Sequence, residues 1–361
     1  MTGAMIWNEF PQLGQLLGER PGLDVVDSHT CGQPTRVILS GTGLANGMTP
    51  EEGREFLRTK ADWVRRLAVM EPRGHRSMFG AAIIHPSSPG DPFGVVFMDA
   101  GSYPDMCGHA TIGVATTLCE LGLIGRLDTL GSNANFSFQL RTPAGTLELT
   151  AKVKGGRCSA IVFQTPLAYY VGSMELALAS GQLARVDVGW GGQYYAFVPV
   201  ESVGLDITPG TIDQLIIAAT LVRQQLAVSF ESSDPRTGTV PTIGNIVWTA
   251  LPRNEAAHAR NVPVSSSGSF DRSPCGTATC ARMAVLEARG ELAVGQDFVN
   301  ESILGTLYYG RAIRSFNGDN YRGIVPQVQG SAWITAAGRL SRDTTDPLGL
   351  GYLIGGGPAV V

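Results

Sequence analysis

The sequence predicts a mixed α/β fold of the α+β type that is built from two similar halves. Three observations support this: strand-like segments outnumber helical ones, long helices do not alternate strictly with strands, and one short motif occurs twice. The first two disfavour a doubly wound nucleotide-binding sheet, in which strands and helices alternate. The third indicates a pair of pseudo-symmetric domains.

Length and composition agree with a globular enzyme-sized protein. The chain has 361 residues, of which 43% are hydrophobic and 16% charged, so it can bury the cores of two domains. The formal charge is −4, without the Lys/Arg runs that bind nucleic acid. No signal-peptide pattern or membrane-length apolar run is present. We therefore expect a cytoplasmic protein that binds neither nucleic acid nor membrane.

The coarse element prediction follows hydrophobic periodicity and the Gly, Pro, Asn and Asp residues that bound each run. Strands are predicted at 95–99, 136–142, 145–153, 159–165, 193–200 and 331–342. Helices are predicted at 50–68, 111–122, 211–227 and 277–290.

The repeated motif places a cysteine at two predicted helix starts. Aligning Cys107 with Cys275 gives CGHAT against CGTAT, which are identical at four of five positions and lie 168 residues apart. Fifteen residues after each cysteine stands a glycine, Gly122 or Gly290, where a C′ glycine would end the helix. Each half is therefore expected to present one thiol at the N-terminus of a helix.

The six cysteines are expected to be free thiols, because a reducing compartment disfavours disulfides. A structural zinc site is not predicted, since no CxxC pair occurs. Cys119 falls inside a helical pattern and is expected in the core, whereas the position of Cys31 in DSHTCGQPTR leaves its role open.

A thiol in the first turn of a helix lies among unpaired N–H groups, which lower its pKa from about 8.5 toward neutrality. The glycine that follows each cysteine lets a ligand approach the backbone. N–H groups from two helix ends could together bind a carboxylate. If both ends face one cleft, a thiolate could remove an α-proton while the opposite thiol delivers one to the other face. Such an inversion requires no cofactor and no metal; inert packing of both cysteines is the alternative.

These segments resemble the proline racemase family, which includes proline racemases, hydroxyproline 2-epimerases and trans-3-hydroxyproline dehydratases. The resemblance covers nearly the whole chain and rests on DSHTCGQPTRVI (27–38), EPRGHRSMFGA (71–81), DAGSYPDMCGHATIG (99–113), GWGGQYYAFV (189–198), HARNV (258–262), DRSPCGTATCARMA (271–284) and ESILGTLYYGR (301–311).

The resemblance implies two domains like those of diaminopimelate epimerase, with the active site in the cleft between them. Residues 1–148 together with 336–361 would form the first domain, which carries Cys107. Residues 149–335 would form the second, which carries Cys275. A homodimer is compatible with the sequence, which gives no evidence on oligomeric state.

The resemblance also implies roles for individual residues. Cys107 and Cys275 would be the two catalytic acid/base groups. Main-chain or side-chain contacts to the substrate carboxylate would come from Gly108, His109, Gly276 and Thr277. Asp271 would accept a hydrogen bond from the ring nitrogen, and Phe79 would wall the pocket. His109 has a second interpretation as a packing residue at the helix start.

Substrate choice depends on two positions. The dehydratases have Thr where this chain has Cys275, which argues against dehydration. Ser265 stands near a position where proline racemases commonly carry a bulky apolar group, and its hydroxyl could bond a ring hydroxyl. The alternative is a serine-rich turn that does not touch the ligand. The prediction is a 4-hydroxyproline 2-epimerase; proline racemase, 3-hydroxyproline dehydratase and a non-catalytic imino-acid binding protein are the alternatives. Ala278 and Cys280 depart from the usual Gly and Ser.

Overall fold

The computed structural model describes residues 20–178, 181–318 and 321–354, together with residues 12 and 15. Its α-helices in this part of the chain are α1 (Pro50–Lys60), α2 (Trp63–Val69), α3 (Gly108–Glu120), α4 (Ile212–Ser229) and α5 (Gly276–Ala288). Its strands are β1 (Gly22–Thr30), β2 (Gln33–Ser40), β3 (Phe79–Ile84), β4 (Phe93–Met98), β5 (Asn133–Thr142), β6 (Gly145–Lys154), β7 (Arg157–Gln164), β8 (Ala168–Ala177), β9 (Leu183–Trp190), β10 (Tyr194–Pro199), β11 (Asn245–Ala250), β12 (Ala259–Val264), β13 (Asp297–Glu301), β14 (Leu307–Asn317), β15 (Arg322–Gly330) and β16 (Ala332–Ser341).

The strand pairing repeats itself in two halves. In the first half, β2 pairs parallel with β3 and β4 pairs parallel with β5. The other neighbouring strands from β1 to β7 pair antiparallel. In the second half, β10 with β11 and β12 with β13 form the corresponding parallel pairs. Helices α3 and α5 occupy matching places, between β4 and β5 and between β12 and β13. This duplication confirms the predicted strand-rich α/β fold of two pseudo-symmetric halves.

The two halves are joined through β15 and β16. Pairing of β14 with β15 closes the second half into a ring that runs from β8 to β15. The end of β15, residues 327–330, also pairs with β7 of the first half. The chain then passes through Ser331 into β16, which pairs with β1. One continuous stretch therefore belongs to both halves and holds them side by side.

Each half encloses one central helix. In α3 every residue from Gly108 to Cys119 is buried, and α5 is buried along nearly its whole length. A helix that is buried on all sides must be surrounded by other elements, and α3 packs on β1, β2 and β7 while α5 packs on β8, β9 and β15. The start of each helix is thereby fixed by a complete shell of strands.

Both central helices end as the sequence predicts. Gly122 has φ 67° and Gly290 has φ 74°, which is the left-handed region that glycine tolerates best. In each case the N–H of the residue after the glycine bonds to the carbonyl five residues earlier, as in a Schellman motif. The predicted C′ glycines are confirmed.

The prediction of a single helix over residues 50–68 is wrong. Helix α1 ends at Lys60, because Ala61 adopts a non-helical backbone with φ −138° and ψ 36°. Helix α2 starts at Trp63 and buries Val64 and Leu67. None of the described helices has both the length and the apolar character of a membrane span.

Ten strands lacked a sequence prediction. Strand β3 shows the reason, since all but the first of its residues are buried and its apolar run has no alternation with which to distinguish it from a helix. The predicted domain boundary at 148/149 falls inside β6, and the one at 335/336 falls inside β16. We propose boundaries at residues 165–167 and 331, because β6 pairs with both β5 and β7, which places all three strands in the first half. The predicted domain ends at 1–19, apart from residues 12 and 15, and at 355–361 lie outside the described residues.

Candidate active site

The N-termini of the two central helices face each other. Cys107 and Cys275 are the N-cap residues of α3 and α5, which confirms that each cysteine stands at a helix start. A methyl group on Gly108 would lie 3.2 Å from the Cα of Gly276, and one on Gly276 would lie 3.4 Å from the Cα of Gly108. Any larger residue at either position would crowd the opposite backbone, so glycine lets the two helix ends, with their free N–H groups, approach one another.

Phe163 of β7 forms the floor beneath this junction. Its Cζ would lie 3.3 Å from a methyl group on Gly108 and 3.1 Å from one on Gly276. The ring is fully buried and belongs to a hydrophobic core cluster that contains residues of both halves. A rigid aromatic side chain therefore sets how far the two helix ends can approach.

His109 and Phe79 surround the first thiol. The Sγ of Cys107 lies 3.2 Å from Nδ1 of His109, and the same nitrogen lies 3.9 Å from Oδ2 of Asp271. The Phe79 ring meets the imidazole edge to face, with centroids 4.9 Å apart. Burial lowers the pKa of His109 below its usual value, so the imidazole is neutral at pH 7 and can accept or donate one hydrogen bond. His109 thus lies between the first-half thiol and the second-half carboxylate.

Two hydroxyl groups surround the second thiol. The Sγ of Cys275 lies 3.6 Å from Oγ1 of Thr277 and 3.9 Å from the hydroxyl of Tyr195. These hydroxyls are 2.6 Å apart. Burial raises the pKa of Tyr195 well above its usual range, so this hydroxyl stays protonated. Sequence reasoning missed Tyr195 as a site residue, although it stands inside the quoted segment GWGGQYYAFV.

Asp271 and Ser265 lie on one hairpin. The Oδ1 atom of Asp271 accepts hydrogen bonds of 2.8 Å from both the N–H and the hydroxyl of Ser273, which leaves Oδ2 toward His109. Ser265 is placed at the turn, where its hydroxyl lies 2.8 Å from Oγ of Ser267 and 2.7 Å from Oγ of Ser269. The structure therefore brings together the predicted residues Phe79, Cys107, Gly108, His109, Asp271, Cys275, Gly276 and Thr277, with Ser265 bonded within its own turn.

Gln33 links the walls of the cleft. Its side-chain amide donates to the carbonyl of Ser77, which precedes Phe79 in the chain, and its Oε1 accepts from the N–H of Arg272, both at 3.0 Å. Gln33 lies in the segment DSHTCGQPTR, whose role the sequence left open. This one buried side chain fixes a first-half wall against the loop that carries Asp271.

The structure contradicts the expectation that these thiols have lowered pKa values. Burial and, to a smaller extent, the charge of Asp271 together raise the pKa of Cys275 to about 12, against the lowering by the N–H of Ala278. Burial raises the pKa of Cys107 well above its usual range, against the lowering by the N–H groups of Ala110 and His109. Desolvation of the thiolate therefore exceeds the stabilisation by the helix start. Both thiols are therefore protonated near neutral pH.

This shift predicts slow alkylation of both cleft cysteines. At pH 7 their reaction with iodoacetamide should be slower than that of an exposed cysteine, and it should rise about tenfold per pH unit above neutrality, as the thiolate fraction does. For Cys275 the rise should continue toward pH 12. The raised pKa of Cys275 also makes the free energy of unfolding depend on pH. This contribution to stability is fully present below pH 9, the pKa of an unfolded cysteine, and is lost as the pH rises to about 12. Peptide mass spectrometry after timed alkylation measures both sites separately; a plateau near pH 7 would contradict the shift.

Cys119, Cys280, His29 and His75 lie in the core or make local hydrogen bonds. All six cysteines are free thiols, as predicted, and Cys119 is buried in the core. Cys280 is also buried, with its Sγ 3.8 Å from the Thr165 hydroxyl. The ring nitrogens of His29 and His75 accept hydrogen bonds from nearby backbone N–H groups. Across the described ranges, no three His, Cys, Asp or Glu side chains are grouped so that they could hold a metal ion.

Solved structures share this architecture. A hydroxyproline epimerase from Agrobacterium vitis, with bound trans-4-hydroxy-L-proline, superposes with a TM-score of 0.78 at 23% identity and covers 93% of this chain and 96% of its own. A probable proline racemase from Agrobacterium radiobacter has a TM-score of 0.77 at 23% identity and covers 92% and 96%. A PhzF-family phenazine biosynthesis protein from Bacillus anthracis has a TM-score of 0.56 at 15% identity and covers 88% and 98%. At these identities the likeness establishes the fold.

Sequence comparison establishes the family. The proline racemase family model matches residues 25–353. A 4-hydroxyproline 2-epimerase of Streptosporangium roseum is 36% identical over 331 residues, which cover 91% of this chain and 97% of the relative. A proline racemase of Clostridioides difficile is 33% identical over 333 residues, which cover 92% and 98%. The duplicated halves and the similarity to these relatives identify an enzyme of the isomerase class. The chain belongs to the proline racemase family.

Proposed function

We propose that the protein inverts Cα of a cyclic imino acid without a cofactor, by proton transfer between Cys107, Cys275 and the substrate. One observation carries this proposal: the two cysteines cap helices whose first residues, Gly108 and Gly276, are in direct backbone contact. A small ring whose carboxylate occupies this junction would have its Cα between two sulfur-bearing residues. The helix N–H groups would stabilise negative charge on the carboxylate as Cα becomes planar.

Substrate charge would prepare the thiols for proton transfer. The carboxylate of Asp271 raises the pKa of both thiols. A substrate ammonium placed beside Asp271 would offset that charge and thereby favour a thiolate. One thiolate would then remove the α-proton while the opposite thiol donates its proton to the other face. Each turnover exchanges the roles of the two cysteines, so one direction uses Cys107 as the base and the other uses Cys275.

Hydroxyproline is the substrate that we propose, with proline as the second candidate. Relatives of both names are similar to this chain at nearly equal identity, so the names do not decide between them. Support for hydroxyproline comes from the sequence, in which Ser265 stands near a position where proline racemases commonly carry a bulky apolar group. In the structure the Ser265 hydroxyl bonds to Ser267 and Ser269, so it would have to exchange one of these partners for a ring hydroxyl. Cys275 in place of the Thr of the dehydratases supports inversion over dehydration. A non-catalytic binding protein is the alternative of another class.

Deuterium incorporation from solvent tests this proposal. Purified protein should convert trans-4-hydroxy-L-proline in D₂O to its 2-epimer, with deuterium at Cα of the product, and should act less efficiently on L-proline. NMR measures the label and chiral chromatography the stereoisomer. A ketimine-type product from 3-hydroxyproline would support the dehydratase, and protection of Cys107 and Cys275 from alkylation by substrate without turnover would support the binding protein. Faster racemisation of L-proline would reverse the substrate assignment.

A further inference from the structure

The backbone at Cys275 differs from that at its partner. Cys275 has φ 62° and ψ 117°, whereas Cys107 has φ −147° and ψ 118°, which is ordinary extended backbone. Within the described chain, Cys31 and Cys275 are the non-glycine residues with positive φ. A side chain on such a backbone is strained, and the strain persists only where surrounding contacts enforce it. The contacts that hold Cys275 therefore need to be identified.

Three side chains converge on the peptide that precedes Cys275. The carbonyl of Pro274 accepts hydrogen bonds from Nδ2 of Asn261 at 3.2 Å, from Nδ2 of Asn300 at 3.4 Å and from Oγ1 of Thr279 at 3.3 Å. Asn300 also donates to Oγ1 of Thr279 at 2.9 Å. A carbonyl oxygen has two lone pairs, so three donors saturate it. These donors come from β12, β13 and α5, which fix the carbonyl from three sides.

The two asparagines are buried at a cost. Their side chains are 3% and 1% exposed for Asn261 and Asn300, and the Oδ1 of each has no hydrogen-bond partner in the described part of the chain. A buried polar atom without a partner is destabilising. The amide orientation follows from chemistry, since only the NH₂ group can face a carbonyl oxygen. Apolar side chains would avoid this cost but could not hold the Pro274 carbonyl.

We infer that Asn261 and Asn300 are positioning residues that hold the Pro274 carbonyl and thereby keep Cys275 in its strained conformation, with its thiol toward the cleft. The inference rests on the proposed function and extends it to one of the two thiols. Both asparagines lie at or beside segments that the sequence marked without assigning a role, HARNV and ESILGTLYYGR. The two asparagines are expected to affect proton transfer by Cys275 alone, because the backbone of Cys107 is not strained.

Single-thiol enzymes test this inference. With Cys107→Ser only Cys275 can exchange the α-hydrogen of a substrate with D₂O, and with Cys275→Ser only Cys107 can. Asn261→Ala or Asn300→Ala should slow exchange by Cys275 about tenfold or more, the usual effect of a lost buried hydrogen bond. Exchange by Cys107 should stay within about threefold, as expected when no direct contact is removed.

The outcomes separate this inference from the proposed function. Equal slowing in both single-thiol enzymes would mean general damage and would overturn the positioning role, as would no slowing in either. Absence of exchange in both parent single-thiol enzymes would remove the proposed function, and the inference with it.

Thermal stability gives a second measurement that does not depend on activity. Glycine tolerates positive φ, so Cys275→Gly should melt at a higher temperature than Cys275→Ala. Positions 107 and 275 are both N-caps, where glycine stabilises a helix more than alanine does, whatever the strain. The variants Cys107→Gly and Cys107→Ala are therefore the control. The glycine advantage should be larger at 275 than at 107, and it should shrink when Asn261→Ala and Asn300→Ala are added. Equal advantages at the two positions would contradict enforced strain.

Discussion

Replacement of either Cys107 or Cys275 by serine is expected to abolish inversion but to preserve exchange at Cα of one stereoisomer. A hydroxyl has too high a pKa to act as the base near neutral pH, so inversion should fall by roughly 10³-fold or more. The remaining cysteine can still remove the α-proton on its own side and return a deuteron to the same face. Each variant should therefore label one isomer without converting it, and the two variants should label opposite isomers. NMR in D₂O with separate stereoisomers measures this.

Cys280→Ser is the matched control for these variants. Cys280 lies on the same helix as Cys275 and is buried, but its Sγ contacts the Thr165 hydroxyl outside the cleft. Serine is also the usual residue at this position in the family that the sequence resembles. Inversion by Cys280→Ser should stay within several-fold of the parent, as expected for a buried change of similar volume away from the cleft. If Cys107→Ser and Cys275→Ser labelled the same isomer, the two cysteines could not act on opposite faces.

Local sequence patterns predicted the starts and ends of the central helices well. The CGHAT and CGTAT repeats placed Cys107 and Cys275 at helix starts, and Gly122 and Gly290 marked the ends, because capping depends on residues within one turn. The strand-rich α/β class followed from counting and ordering short segments. These patterns depend on neighbouring residues, and the structure agrees with them at both ends of the two central helices.

Properties that depend on distant segments could not be predicted in this way. The raised pKa values of the two thiols result from burial by both halves, which no local window contains. Gln33 and Tyr195 line the cleft through contacts with residues that are distant in the sequence, and these contacts depend on the positions of β2 and β10 in the two halves. The fully buried β3 carries no periodicity that separates a strand from a helix. Sequence segments alone identified the regions that hold these residues, but the contacts required the fold.

Asp271→Asn should change catalysis and thiol reactivity in opposite directions. If Asp271 accepts from the substrate ring nitrogen, loss of its charge should lower kcat/KM by about 30- to 10³-fold, the effect of removing one partner of a buried charge pair. The negative charge of Asp271 also raises the pKa of both Cys107 and Cys275. Its removal should therefore lower both pKa values and speed alkylation at pH 7 to 8. Opening of the cleft would also lower both pKa values, because burial is their main cause, so the melting temperature of Asp271→Asn must equal that of the parent for the shift to report the lost charge.

Asp105→Asn provides the control, because Asp105 precedes Cys107 much as Asp271 precedes Cys275. Its side chain is 65% exposed and pairs with Arg54, so its charge is screened by solvent. This variant should leave kcat/KM and both alkylation profiles nearly unchanged.

For Asp271→Asn, kcat/KM must fall by the same factor in both directions of the inversion. The equilibrium constant between the two stereoisomers equals the ratio of the two kcat/KM values, and no variant can change it. Unchanged alkylation profiles alongside a large loss of turnover would show that Asp271 acts on the substrate alone and does not control the thiols.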